Sequence, residues 1–106
     1  MPISIKPGVR LHGLRPEMAV AVTIVNGVLA EIPVKTVITS AIDGRHGHGS
    51  LHFVGAAIDI RSREIPPARL AETKDKLAAA LGPDFDVVLE PDHFHIEFQP
   101  KTPYGA

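Results

Sequence analysis

The chain has no cysteine, so it can build neither a disulfide framework nor a thiolate metal site. Any metal it binds must be held by histidine and carboxylate. It also lacks a run of basic residues, carries a formal net charge of −1 and has a single tyrosine; these features argue against nucleic acid as a partner. The N-terminal MPISIKPGVRLHGLRP has no basic segment followed by an apolar one, so no Sec signal is visible. The most apolar stretch, Met18 to Ile32, is too short and too interrupted to span a bilayer. No internal repeat or low-complexity segment is present. The expectation is a monomer, made in the cytoplasm as a soluble protein, with no membrane partner.

What is present is a globular balance. Hydrophobic residues make up 44% and charged residues 22% of 106 residues, which suits one domain over 1–106 with a single modest core. Leu14 to Ile32 begins with a proline in a helix-start context and spaces Met18, Val22, Val25, Val28 and Leu29 as one helical face. Val34 to Ser40 reads as a β-branched strand, and Ala56 to Arg61 as a second. Pro66 and Pro67 open a helix with Leu70, Leu77 and Leu81 near one face, and Gly82-Pro83 stops it. Phe85 to Glu90 reads as a third strand and, after a tight Pro91-Asp92 connection, His93 to Phe98 as a fourth. The pattern predicts an α+β fold, with a small, mostly antiparallel sheet and helices packed on one side.

Five of the six histidines fall in two places, His46/His48/His52 and His93/His95. Residues two apart on a strand share a face. His93, His95 and Glu97 therefore share one side of the last strand, while Phe94, Ile96 and Phe98 face the core. Two imidazoles in register cost stability unless satisfied, and a metal is the strongest way to satisfy them. Asp59 stands between Ile58 and Ile60. A buried unpaired carboxylate is costly, so Asp59 needs an arginine, a lysine or a metal shared with the histidines. Two histidine nitrogens and one aspartate oxygen, with a fourth position open to water, is the arrangement of a catalytic zinc. Each feature alone also has an ordinary reading: a solvated glycine-rich turn, a structural salt bridge, a chance H-x-H. His12 reads as a surface histidine.

The stretch Ser50-Leu51-His52-Phe53-x-Gly55-x-Ala57-x-Asp59-Ile60 resembles the S-x-H-x-x-G-x-A-x-D-I signature of the M15 zinc peptidases. That group includes D-alanyl-D-alanine carboxypeptidases, dipeptidases and phage endolysins, and its zinc-site signature also occurs in the Sonic hedgehog signalling domain. Val87-Val88-Leu89-Glu90 followed by His93-Phe94-His95-Ile96-Glu97 resembles the same family's closing strand. The resemblance runs from about Val37 to Phe98. It implies a hedgehog/D,D-peptidase-like fold and zinc held by His52, Asp59 and His95. It implies further that His93 stands beside the zinc water as a non-ligand, that His46 is an additional active-site histidine, and that Glu90 is the general base. In many members the base lies three residues before the ligand histidine, a spacing that fits Asp92 to His95 and also Glu90 to His93. The base is therefore Glu90 or Asp92. The family's G-Y-R arginine is absent, and Arg45 is the nearest substitute; His48 reads as a spare solvated histidine. Gly55, Ala56 and Ala57 are expected to keep bulk away from the ion.

The implied activity is hydrolysis of a D,D- or L,D-type peptide bond in bacterial peptidoglycan stem peptide. The protein is expected to be phage- or prophage-derived, released at lysis or carried by a virion. The alternative is a non-catalytic, zinc-stabilised binding or structural module of hedgehog type.

Overall fold

The computed structural model describes residues 2–42 and 55–101. His46, His48, His52 and Arg45 lie outside the described residues. The element order is β1 (Ser4–Ile5), α1 (Pro16–Ala30), β2 (Val37–Ser40), β3 (Ala57–Arg61), α2 (Leu70–Leu81), β4 (Phe85–Leu89) and β5 (His93–Phe98). The five strands form one sheet in the order β1-β2-β3-β5-β4. Only β1 and β2 run parallel; every other neighbouring pair is antiparallel. The fold is α+β, as predicted.

Pro16 opens α1 because its missing N–H is one that a first helical turn leaves unpaired in any case. Met18, Ala21, Val22, Val25 and Leu29 form the buried stripe, at the spacing that keeps side chains on one helical face. Pro67 starts a single 3-10 turn over Pro67–Arg69 before α2 begins. Thr73 is buried, and its hydroxyl donates to the Arg69 carbonyl at 2.7 Å. Gly82 ends α2 at φ 90°, a conformation that costs glycine no side-chain clash.

The helices cover one face of the sheet. Ile58, Ile60, Phe94 and Ile96 are fully buried in one cluster with Met18, Val25, Leu29 and Leu77. Burying each such side chain contributes roughly 1.5–3 kcal/mol. Period-2 alternation then puts Ala57, Asp59 and Arg61 of β3, and His93, His95 and Glu97 of β5, on the opposite face.

The boundaries differ from the sequence reading at several places, among them β3, which starts at Ala57 rather than Ala56, and α2, which starts at Leu70 after the 3-10 turn. The first helix is shorter at both ends than 14–32. The second strand starts at Val37 rather than Val34, because Val34 donates its N–H to the Leu29 carbonyl at 3.0 Å and packs under the end of α1. The third predicted strand stops at Leu89, since Glu90 already belongs to the turn and donates to the His93 carbonyl at 2.8 Å. The two-residue strand β1 carries no periodic signal of its own; it is made by pairing with β2.

Candidate metal centre

Asp59 and His95 are directly opposite each other on β3 and β5, and Arg61 is opposite His93 in the same register. The pairing brings His95 Nδ1 to 3.0 Å from Asp59 Oδ1 and His93 Nε2 to 3.7 Å from Asp59 Oδ2. On its other side, His95 Nε2 is 2.7 Å from Glu97 Oε1. Asp59 is only 14% exposed and His95 21%. The sequence requirement that Asp59 have a cationic partner is met here by a histidine from the neighbouring strand.

Both neighbours of the His95 ring are carboxylates, which only accept. The Asp59 carboxylate, and after it the Glu97 carboxylate, raise the His95 pKa above its ordinary value, while partial burial pulls the other way. His93 Nδ1 lies 2.6 Å from Asp92 Oδ1. That hydrogen bond holds the Asp92 carboxyl below the usual carboxylate range.

The pair fits a zinc ion by its chemistry and spacing. Zn–N and Zn–O bonds of about 2.0–2.1 Å at tetrahedral angles separate two ligand atoms by about 3.3 Å, close to the 3.0 Å between His95 Nδ1 and Asp59 Oδ1. Among the described residues no three His, Cys, Asp or Glu side chains are grouped to hold one ion. The ligand that the resemblance assigns beside this pair, His52, lies outside those residues.

A cleft of about 240 Å³ adjoins the pair, lined in part by Asp59, Asp92 and His93. Lys6, Arg61 and Arg63 line it as well. Arg61 and Arg63 share Glu64, at 3.6 and 3.4 Å. The sequence reading named none of these three cations. Arg61 was findable from the alternation that placed Asp59, being two residues on along the same strand. Lys6 was not, because it arrives beside the site through the parallel β1–β2 pairing.

Both candidate bases are exposed; Asp92 lines the cleft and Glu90 is not among its lining residues. His12 is exposed, as expected. Gly55 also has a backbone role. It sits at φ +73°, and a side chain there would collide with the Gly13 carbonyl. Its carbonyl also accepts from the Arg15 N–H at 3.0 Å, so Gly55 lets the backbone before β3 dock against the entry to α1. No family model and no curated protein matches the chain.

Proposed function

We propose that the protein is a zinc-dependent metallopeptidase that hydrolyses a D,D- or L,D-type peptide bond in peptidoglycan stem peptide. The observation that carries the reading is the Asp59–His95 pair, 3.0 Å apart, on the sheet face away from the helices, beside a cleft lined by Asp92 and His93. His52 would complete the ligand set, in keeping with the M15 resemblance. Zinc held there would supply a water whose pKa is lowered toward neutrality.

The remaining work falls to side chains of this chain. Asp92 is ionised at neutral pH, so its carboxylate can accept the proton of the attacking water and return it to the leaving amine. Its hydrogen bond with Nδ1 also orients the His93 ring, turning Nε2 toward Asp59 Oδ2 at 3.7 Å, from where the protonated ring would donate to charge developing on the scissile carbonyl. Lys6, Arg61 and Arg63 give the cleft the positive rim that suits a peptide bearing carboxylates. The position of Glu90 outside the cleft lining favours the second reading, a zinc-stabilised module without hydrolytic activity, should Asp92 prove not to act as base.

Two measurements separate the readings. Purified protein should carry one zinc per chain and cleave muropeptides or D,D- or L,D-dipeptides. Zinc bound at full occupancy with no cleavage of any of these would leave the module reading in place.

A further inference from the structure

Glu97 belongs to no ligand set or base assignment, yet both of its carboxylate oxygens are committed. Oε1 lies 2.7 Å from His95 Nε2, and Oε2 accepts from Gln99 Nε2 at 2.5 Å. The side chain is 19% exposed. Directly across β3, its partner is Ala57, whose methyl group offers nothing to compete for the carboxylate. Across β4, its partner is Asp86, and like charges directly opposite are unfavourable. Lys101 offsets this by pairing with Asp86 at 3.1 Å. Glu97 therefore has its orientation set from one side by Gln99 and its other oxygen turned on His95.

We infer that Glu97, steadied by Gln99, is the positioning residue that makes His95 a metal ligand through Nδ1. A histidine ligand works best when its second nitrogen donates to a carboxylate, which fixes the tautomer and ring angle and raises the basicity of the ligating nitrogen. Glu97 occupies Nε2, so the proton that remains on the metal-bound ring sits there and Nδ1 is the nitrogen left to face Asp59. His95 and Glu97 are successive same-face positions of β5, and Gln99 follows directly after the strand's end, where its N–H donates to the Asp84 carbonyl at 2.7 Å. This inference rests on the zinc reading above and adds to it a role for two residues outside the ligand set.

The test is zinc affinity, measured by competition with a chromophoric chelator on the full chain. Glu97→Ala should weaken zinc binding by about 10- to 100-fold, the usual range for losing such a partner. Glu97→Gln keeps an acceptor oxygen without the charge and should fall between wild type and Glu97→Ala; it also covers the case in which the alanine variant folds poorly. Asp86→Asn removes the same charge from the same face without touching His95, and should leave affinity within twofold. Nitrogen-15 spectra of the zinc-loaded protein should show a proton on His95 Nε2. Unchanged affinity in Glu97→Ala, an equal loss in Asp86→Asn, or metal on Nε2 would each overturn the assignment while leaving the zinc reading intact. A wild-type chain that binds no zinc would overturn both.

Discussion

The two faces of β3 and β5 are made from the same ten backbone positions or so and obey different rules. On the helix side, Ile58, Ile60, Phe94 and Ile96 are held by volume and hydrophobicity, and such groups are exchangeable if the space is filled. On the other side, Asp59, His93, His95 and Glu97 are held by direction: each has a named partner atom within 3.7 Å. One register serves both. A one-residue slip of β5 would exchange the faces, burying three ionisable groups and exposing the core. The apolar face thus protects the placement of the polar one, and the polar face adds little to the burial that holds the fold.

If that division is right, damage should sort by face. The largest effect on folding should come from Phe94→Ala, which empties a fully buried position. A loss of about 3–5 kcal/mol is expected, read by chemical denaturation, and it should be the same with and without zinc present at low concentration. On the polar face, His52→Ala, Asp59→Ala and His95→Ala should each remove most of the zinc, as elemental analysis would show. The metal-free forms of these variants should melt near metal-free wild type. Zinc retained in all three would refute the ligand set.

Smaller, and confined to chemistry, is the expected effect of the base. Asp92→Asn should cost about 10²-fold in cleavage of cell-wall peptide with zinc content and fold kept, while Glu90→Gln should cost much less. The reverse pattern would move the base to Glu90 and require the β4–β5 turn to rearrange in the complex. His93→Ala should lose activity while keeping most of the metal.

The smallest expected effect is a pH response of opposite sign in the two metal states. In the metal-free protein, the raised His95 pKa stabilises the fold fully below the unfolded value of about 6.5, and that contribution is lost as pH rises through the folded value. The metal-free melting temperature should therefore fall over that window, and the response should flatten in His95→Ala. Zinc-loaded protein should instead lose stability toward acid, as protons compete for its ligands. Two melting curves of the same sign would break the assignment of His95 as the group that exchanges proton for metal.

Much of this was legible in the sequence because strand alternation is a strict rule. The period of two around Asp59 and through His93-Phe94-His95-Ile96-Glu97 is enough to separate core from site. What remained hidden depends on pairing and turn geometry. Nothing local in Ser4–Ile5 announces a strand that exists only against β2, and with it the approach of Lys6 to the cleft was invisible. Spacing alone could not choose between Glu90 and Asp92, since the turn at residues 90–92 decides which carboxylate borders the cleft. The reason for Gly55 lay in a backbone contact with Gly13 more than forty residues away in sequence, which no local pattern carries.

The strand order has a consequence in time. β5 is the last of the described strands in chain order, yet it lies between β3 and β4 in the sheet, and His95 meets Asp59 across 36 residues of chain. A ribosome-bound chain that has released β3, α2 and β4 still has a gap where β5 belongs. Neither the central ladder nor the His95–Asp59 pair can close until residues 93–98 emerge. Fragments that stop short of that strand carry an incomplete sheet, and on the zinc proposal an incomplete ligand set, so possession of a metal would report that translation had passed β5.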